Sequence, residues 1–393
     1  MIQRIVALLA ALFLLACSIG KNGEQPSQKS RWSVQMAESV MARHDSLHTY
    51  TASQDVWQYD IGLLGMAIDQ LNPLDEKYGK YMQDWMDRFV REDGSIRTYR
   101  IRDYNIDNIN PAKNLFTLYE RTGEEKYKKA ISLFVEQMES HPRTKAGGFW
   151  HKQKYPWQMW LDGIYVGSPF LARYAAEFNE PQWFDVVTQQ VILCYDRTLD
   201  SETGLLYHAW DESREQVWCN PATGQSKHFW SRAMGWYMMA LVDVLDYLPE
   251  EHPDRDAVVA ILQRTASALL EVRDPDTGLW YQVLDQGGRS GNYLEGSGSA
   301  MFIYAFAKGT RWGYLDADYL KVAEEAFQSL TETLIYKDED GWLSMINIVG
   351  GCGLGGDRNY RNGSYEYYTT EKRVKNDPKG VGPFILAALQ LEL

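Results

Sequence analysis

From Arg31 onward the sequence keeps returning to one unit: an apolar helix, a more amphipathic helix, and a turn that combines glycine with aromatic residues. Five such turns follow one another at intervals of roughly 54 to 74 residues, a spacing that suits a helical hairpin with its connecting loop. The turns contain Gly94, Gly148, Gly204, Gly278 and Gly341. The chain is therefore predicted to be built from consecutive helical hairpins.

The two helices of each unit differ in their apolar pattern. The second helix has one apolar stripe with a 3.6-residue period, as at Tyr127, Ile131 and Phe134. The first helix is apolar on nearly all sides, as in residues 236–242 and 300–306. Because a helix that is apolar all round must be buried on both sides, we expect an inner ring of first helices covered by an outer ring of second helices.

Two helices are left over, at residues 32–43 and 381–391. Paired with each other they would form a sixth hairpin and close the ring. The predicted fold is all-α, an (α/α)6 barrel (six-hairpin toroid) with short β-hairpin excursions at the rim. The alternative is an open helical solenoid, whose ends are capped rather than paired. In a closed ring, the starts of all inner helices share one rim.

The N-terminal segment differs from the rest of the chain. Arg4 is followed by an apolar run at 5–15, shorter than the roughly 17–25 residues that span a bilayer, and the sequence Leu-Leu-Ala-Cys ends at Cys17. We interpret residues 1–17 as a lipoprotein-type signal peptide, 18–30 as a flexible tether and 31–393 as a single (α/α)6 catalytic domain. The protein is expected to be exported and lipid-anchored in the bacterial periplasm or outer membrane, touching the membrane only through Cys17. An ordinary cleaved signal is the alternative.

Charge and cysteine content exclude some function classes. The chain has 40 basic and 53 acidic residues, a net charge of −13, and no basic run, so no nucleic-acid partner is expected. An acidic sugar is not excluded, because a local arginine acts within a Debye length. Cys194, Cys219 and Cys352 are odd in number and lack metal-type spacing, so they are interpreted as core or incidental residues rather than a disulfide framework or zinc site. The oligomeric state is left open.

The predicted rim collects aromatic residues, carboxylates, histidines and an arginine. Aromatic faces stack on the C–H faces of sugar rings while polar tips hold hydroxyls, so this composition is typical of a carbohydrate pocket. Helix N-termini that point inward would also favour a substrate carboxylate. The segments are 57–60, 107–110, His151, 160–163, 207–210, 229–236 and 292–297.

The carboxylates of the rim also have structural explanations. Asp60, Asp107 and Asp162 could be helix caps, and for Asp60 capping or wall-building weighs as much as ligand contact. Asp162 is harder to explain in this way. Trp160, Tyr165 and two nearby glycines predict apolar, close-packed surroundings, which suit a general acid.

The histidines and the arginine have similar alternatives. His151 and His208 lie in aromatic turns, where a packed, hydrogen-bonded histidine is the ordinary expectation. Arg232 could be a solvated surface residue. Its flanking residues Trp230 and Trp236 instead predict a pocket in which a carboxylate partner is favoured.

Several segments carry a resemblance to a known family. They read Trp-Leu-Asp-Gly-Ile-Tyr at 160–165, Gly-Leu-Leu-Tyr-His-Ala-Trp-Asp at 204–211, Trp-Ser-Arg-Ala-Met-Gly-Trp at 230–236, Gly-Asn-Tyr-Leu-Glu-Gly-Ser at 291–297, Gly-Ser-Tyr-Glu-Tyr-Tyr at 363–368 and Asn-Asp-Pro-Lys-Gly-Val-Gly-Pro at 376–383. In these segments the chain resembles glycoside hydrolase family 105, the unsaturated rhamnogalacturonyl hydrolases, and more distantly the unsaturated glucuronyl hydrolases of family 88. The resemblance extends from about residue 32 to 391. At Met234 the family often has a polar residue, so contacts to the sugar hydroxyls are expected to differ.

The resemblance implies an (α/α)6 fold and the removal of a terminal 4,5-unsaturated uronic acid by hydration of its C4=C5 double bond. Asp162 would protonate C4 and activate the water that adds at C5, with Asp107 assisting as the second carboxylate. The resulting hemiketal opens and the glycosidic bond breaks, so the usual geometry of retaining and inverting glycosidases does not apply. No metal or organic cofactor is implied. The predicted substrate-binding residues are His151, Trp160, His208, Arg232, Trp236 and the rim residue Tyr59.

The expected substrate is an oligosaccharide generated by a polysaccharide lyase, with rhamnogalacturonan-type ends favoured over glucuronyl ends. Two other functions remain open at this point. One is a different (α/α)6 sugar enzyme, either an inverting glycosidase or a sugar epimerase with histidines as paired bases. The other is a lipid-anchored glycan-binding protein with the same aromatic rim.

Overall fold

The computed structural model describes residues 31–50, 55–356 and 359–393. The predicted signal peptide, Cys17 and the tether lie outside these residues. Within the described ranges, no helix is both long and apolar enough to cross a membrane.

The described chain is mostly helical. In chain order the α-helices are α1 (Trp32–Arg43), α2 (Tyr59–Asp69), α3 (Glu76–Asp87), α4 (Lys113–Thr122), α5 (Glu125–Ser140), α6 (Leu161–Phe178), α7 (Gln182–Thr198), α8 (Ser231–Val244), α9 (Arg255–Glu271), α10 (Gly296–Arg311), α11 (Asp318–Thr333), α12 (Tyr365–Thr370) and α13 (Pro378–Glu392). A 3₁₀ segment, Ile106–Ala112, leads into α4. Three antiparallel strand pairs join β1 (Gln158–Trp160) to β2 (Ala209–Asp211), β3 (Ile335–Lys337) to β4 (Leu343–Met345), and β5 (Ile348–Val349) to β6 (Arg373–Val374).

The helices form two concentric rings. The inner ring runs from α2 through the 3₁₀ segment with α4, then α6, α8, α10 and α13, and α13 packs back on α2. Each inner helix is covered by an outer one: α3, α5, α7, α9 and α11 follow their inner partners in sequence, whereas α1 covers α13. The pairing of the first and last helices closes the ring, so the predicted (α/α)6 barrel is confirmed and the open solenoid is excluded.

Burial follows the predicted contrast between the rings. The inner helix α10 is buried at every position from Gly296 to Gly309. The outer helix α11 buries only Ala323, Ala326, Phe327 and Leu330. The nearly continuous apolar sequence of the inner helices is therefore explained by neighbours on both sides.

Polar contacts at both ends of α13 hold it against its neighbours in the closed ring. At the rim where the inner helices start, Lys379 of α13 places its Nζ 3.2 Å from Asp60 Oδ2 of α2 and 2.7 Å from Asp377 Oδ1. At the other end, the backbone N–H of Ser33 donates to Glu392 Oε1 at 3.1 Å. Asp60 thus takes the structural role that was one of its two interpretations, because it pairs with Lys379 and does not line the cavity described below.

The predicted glycine turns share a backbone conformation, with one difference in the second turn. Gly94, Gly204, Gly278 and Gly341 have φ values between 69° and 83°, the left-handed region that favours glycine. In the second turn this conformation belongs to Gly147, with φ 96°, rather than to Gly148. Gly148 is required for space instead, since a Cβ there would lie 2.0 Å from Met159 Sδ.

Candidate active site

A cavity of about 180 Å³ lies at the rim where the inner helices begin. Pockets for drug-sized ligands measure roughly 300–1,000 Å³, so this one encloses about a single sugar ring. Seven of the eight predicted site residues line it: Tyr59, Asp107, His151, Trp160, Asp162, Arg232 and Trp236. The structure thus brings together side chains from α2, α6, α8 and the 3₁₀ segment.

Trp160 is the centre of an aromatic stack on one wall. Its indole lies 4.4 Å from the His151 ring at an interplanar angle of 8°, and 5.2 Å from the Tyr155 ring at 16°. On the inner-helix side, Trp236 stacks on Tyr165 with ring centroids 4.9 Å apart. Such flat, rigid faces suit the C–H surface of a sugar ring.

Asp162 is positioned by the strand pair β1–β2. Trp160 pairs with Ala209 in register, and the N–H of Leu161 donates to the carbonyl of His208 at 3.1 Å. As a result Asp162 Oδ2 lies 3.4 Å from His208 Nε2. The side chain of Asp162 does not cap α6, because Trp160 occupies the N-cap position and Asp162 Oδ2 makes no hydrogen bond in the described structure. The capping interpretation is therefore wrong for Asp162.

His208 does not line the cavity, in contrast to its predicted role in holding the sugar. It is fully buried behind Asp162, and its Nδ1 lies 2.8 Å from the hydroxyl oxygen of Tyr368. Burial lowers the pKa of His208, although the neighbouring Asp162 opposes this shift. A neutral histidine that faces Asp162 supports this carboxyl group rather than the substrate.

Asp107 is held by two cationic or potentially cationic neighbours. Its Oδ1 lies 3.2 Å from His151 Nε2, and its Oδ2 forms an ion pair with Lys152 Nζ. The pairing arises because Asn105 bridges to Lys152 and the N–H of Ile106 donates to the carbonyl of His151. Burial opposes ionisation of Asp107, but Lys152 and His151 outweigh it and hold the pKa of the carboxyl below its usual range. Asp107 is thus an ionised partner and not a source of protons near neutral pH.

Asp107 also does not act as the cap of its segment. The side chain of Asn105 accepts the hydrogen bond from the N–H of Asp107 and is the cap of the 3₁₀ segment. The carboxylate of Asp107 is left for the cavity and for its two neighbours.

Arg232 is 1% exposed, yet its guanidinium reaches the cavity. Nη1 donates to Ser297 Oγ at 3.3 Å and to the carbonyl of Val349. In the described part of the chain, Nε and Nη2 have no hydrogen-bond partner, and no carboxylate lies within 4.0 Å of the group. Burial disfavours the charge, but the field of the buried Glu295 raises the pKa of Arg232 and keeps it protonated. A buried cation with free donors facing a cavity is suited to a substrate carboxylate.

Several residues of the cavity were not predicted as site residues. Lys152 follows His151 directly, and Tyr155 and Arg361 meet through a 2.7 Å hydrogen bond from Arg361 Nη2 to the Tyr155 hydroxyl. Burial would raise the pKa of Tyr155, but Arg361 outweighs it and lowers this pKa. Cys352, interpreted as a core or incidental residue, is buried and lines the cavity within a glycine-rich loop. The remaining unpredicted lining residues are Val166, Trp230, Gly351 and Gly353.

Some of these residues carried a sequence signal. The run of glycines between 350 and 356 is the mark of a loop that approaches other groups closely, and it could have indicated a site element. Nothing local in the sequence distinguishes Arg361 from a surface arginine. Met234, expected to alter sugar contacts, is buried in α8 and does not line the cavity. In the described ranges no three His, Cys, Asp or Glu side chains are grouped to hold a metal ion.

Comparison with known proteins gives a family match over nearly the whole described chain. The model of Glycosyl Hydrolase Family 88 matches residues 32–392. A solved structure of a C. acetobutylicum glycoside hydrolase from family 105 is 45% identical, with a TM-score of 0.88, and the match covers 92% of this chain and 99% of that one.

Two curated relatives are similar over long segments. Protein Atu3128 of Agrobacterium fabrum is 41% identical over 229 residues, which are 56% of this chain and 96% of the relative. The unsaturated rhamnogalacturonyl hydrolase YesR of Bacillus subtilis is 25% identical over 297 residues, which are 74% of this chain and 78% of the relative.

Proposed function

The chain belongs to the glycosyl hydrolase family 88 and 105 group of glycosidases, and from this premise we propose that it removes a 4,5-unsaturated uronic acid from the non-reducing end of oligosaccharides made by polysaccharide lyases. Rhamnogalacturonan-type ends are the favoured substrate, in keeping with the activity named for the Bacillus subtilis relative. The reaction is the hydration of the C4=C5 double bond.

The observation that carries the proposal is the placement of Asp162 and Arg232 on one cavity of about 180 Å³. An unsaturated uronic acid has its double bond next to its carboxylate, so it needs an acid and a fixed cation at the distance of one ring. Arg232 offers the free donors for the carboxylate, and the stack around Trp160 offers a face for the ring.

The proposed steps keep atoms and protons in balance. Asp162 gives its proton to C4, which leaves positive charge at C5 next to the ring oxygen. Water adds at C5 and returns a proton to Asp162, so the acid is restored. The hemiketal then opens to a ketone at C5, which leaves C1 as a hemiacetal. Collapse of this hemiacetal to an aldehyde breaks the bond to the leaving sugar, which departs with the hydroxyl proton. Asp107, ionised between His151 and Lys152, adds negative charge beside the developing cation.

The test is to incubate the protein with a panel of lyase-generated oligosaccharides and to follow the ultraviolet absorbance of the conjugated double bond. The panel contains unsaturated galacturonyl-rhamnose, unsaturated glucuronyl disaccharides and the saturated counterpart of each. We expect the absorbance to fall with the unsaturated galacturonyl ends and no release of sugar from saturated substrates.

Other outcomes of the same experiment decide against the proposal. Cleavage of a saturated uronide would identify an ordinary inverting glycosidase, and a changed sugar configuration without cleavage would identify an epimerase. Binding of the oligosaccharides without any turnover would identify a glycan-binding protein. Faster loss of absorbance with glucuronyl ends would keep the reaction but overturn the preference.

We further propose that the protein is exported and lipid-anchored at Cys17. The support is the Leu-Leu-Ala-Cys sequence after a short apolar run. Expression in a Gram-negative host with a labelled fatty acid should label the wild-type protein in the membrane fraction. A Cys17→Ala variant should lose the label, and a wild-type protein without label would contradict the anchor.

A further inference from the structure

Tyr368 lies outside the cavity, on the far side of His208 from the proposed acid. It is fully buried in the short helix α12, and its hydroxyl oxygen lies 2.8 Å from Nδ1 of His208. Its ring lies 6.1 Å from that of Trp230, which lines the cavity. Burial raises the pKa of Tyr368 well above its ordinary value, so the phenol is protonated near neutral pH.

His208 connects Tyr368 to the cavity. Its Nδ1 faces the phenol, and its Nε2 lies 3.4 Å from Asp162 Oδ2. Burial favours the neutral imidazole, which has one N–H donor and one acceptor nitrogen. The position of the single proton therefore decides whether Asp162 faces an N–H donor or an acceptor nitrogen.

The two tautomers are not equivalent in this setting. If the Tyr368 hydroxyl donates to Nδ1, the proton lies on Nε2. This nitrogen lies 3.4 Å from Asp162 Oδ2, and neither atom makes a hydrogen bond in the described structure, so each is available to the other. In the other tautomer the lone pair of Nε2 would face a carboxylate oxygen, and two acceptors would repel each other. The phenol thus stabilises the tautomer that can donate to the Asp162 carboxylate.

Neighbouring charged and titratable groups shift the pKa values of His208 and Tyr368. Asp162 favours a charged His208, whereas His151 and Arg361 oppose it. Around Tyr368, Cys352, Tyr367 and Asp162 all disfavour ionisation of the phenol. The His228 ring is perpendicular to the Tyr368 ring, with ring centroids 6.2 Å apart. No cation in the described residues pairs directly with either side chain.

We propose that Tyr368 is a positioning residue that fixes the tautomer of His208, so that Nε2–H donates to Asp162 each time the acid has given its proton to C4. The inference rests on the proposed role of Asp162. Tyr368 and His208 keep their own protons through the cycle, since the proton lost by Asp162 goes to C4 and the one it regains comes from water.

A Tyr368→Phe variant tests this, because it keeps the ring and its packing and removes only the hydroxyl. We expect kcat to fall about tenfold with KM within about twofold, since one hydrogen bond is lost from a group that does not touch the substrate. The acidic limb of the kcat–pH profile should move about half a unit to one unit towards higher pH, because His208 becomes easier to protonate.

The control is Tyr365→Phe on the same helix. Tyr365 is buried too, and its hydroxyl donates to the carbonyls of Arg289 and Ser290, away from the cavity. It should keep the wild-type pH profile. An unmoved profile in Tyr368→Phe would show a merely structural role and overturn the inference.

A measurement without substrate separates this inference from the proposed function. Histidine labelled with ¹⁵N reports which ring nitrogen carries the proton, and a His208→Gln variant assigns the signal. We expect the proton of His208 on Nε2 in the wild type and a changed or mixed state in Tyr368→Phe. A proton on Nδ1 in the wild type would overturn the inference, whatever substrate the enzyme proves to use.

Discussion

In the proposed reaction, Asp162 acts on the double bond of the unsaturated uronic acid and Arg232 binds the carboxylate next to it. Asp162 lies at the start of α6 with one oxygen facing His208, and Arg232 lies at the start of α8 with two nitrogens free of hydrogen bonds in the described structure. A double bond conjugated to a carboxylate fits between an acid and a guanidinium. These two residues therefore allow the sharpest tests at the scale of single side chains.

Replacement of Asp162 by Asn should remove the proton that C4 receives. General acid–base catalysis contributes about 10²–10⁴-fold, so kcat should fall by about 10³-fold with KM little changed. The rate at which ultraviolet absorbance is lost, followed at a series of substrate concentrations, gives kcat and KM. Asp185→Asn is the matched control, since Asp185 is 79% exposed on the outer helix α7. An Asp162→Asn enzyme with more than a tenth of wild-type turnover would refute the assignment.

Replacement of Arg232 by Lys keeps a cation but removes the planar pair of donors. For a substrate with a free carboxylate, KM should rise about 10- to 100-fold, the value of one or two charge-assisted hydrogen bonds. The methyl ester of the same substrate has no carboxylate charge. If Arg232 binds the carboxylate, wild type and variant should differ little on the ester. An equal loss on both substrates would place the contact elsewhere.

At the scale of elements, the inner helices approach each other through glycines. A Cβ on Gly62 of α2 would lie 2.6 Å from both Cα and Cβ of Pro111, at the junction with the 3₁₀ segment that carries Asp107. Backbone atoms cannot move away as a flexible side chain can. The small residue thus sets the distance between two neighbouring elements of the inner ring.

We therefore expect Gly62→Ala to destabilise the fold by about 1–3 kcal/mol, although alanine is the better helix former. Urea unfolding followed by circular dichroism gives the free energy of unfolding. Gly288→Ala is the control, because nothing lies within 4 Å of a Cβ at that position. A Gly62→Ala protein as stable as the wild type would mean that α2 shifts freely against its neighbour.

At the scale of the whole molecule, buried histidines make stability depend on pH. Burial lowers the pKa of His141 to about 4, and its Nε2 lies 2.8 Å from the carbonyl oxygen of Trp150. The unfolded chain has the ordinary value of about 6.5, so it binds more protons than the folded one between these two values. Stability should therefore fall as pH falls below about 6.5. The lowered pKa values of His44, His208 and His228 act in the same direction.

The contribution of His141 alone should be about 2 kcal/mol between pH 7.5 and pH 5. Urea unfolding at both values measures it, and His141→Gln should reduce the difference by that amount. Ser140→Ala, a non-titrating change at the end of α5, should keep the wild-type difference. If His141→Gln leaves the difference unchanged, the proton uptake belongs to other groups.

Periodicity in the sequence predicts the architecture and the end of the barrel at which the candidate site lies. Apolar residues all round one helix and along one stripe of the next indicate an inner and an outer ring, and the two leftover helices at 32–43 and 381–391 favour closure over an open solenoid. Closure puts every inner-helix start at one rim, so Asp107, Asp162 and Arg232 could be grouped before any contact was known. This works because helix periodicity and connectivity are local properties of the chain.

Which side chains face the cavity and which lie behind it became clear only from the folded arrangement. His208 proved to lie behind Asp162, Lys152 to pair with Asp107, and Arg361 to meet Tyr155 across 206 positions of sequence. The lack of space for a side chain at Gly148 depends in the same way on Met159, which belongs to strand β1. These outcomes depend on packing between segments far apart in the chain, and neither periodicity nor the type of a residue specifies such packing.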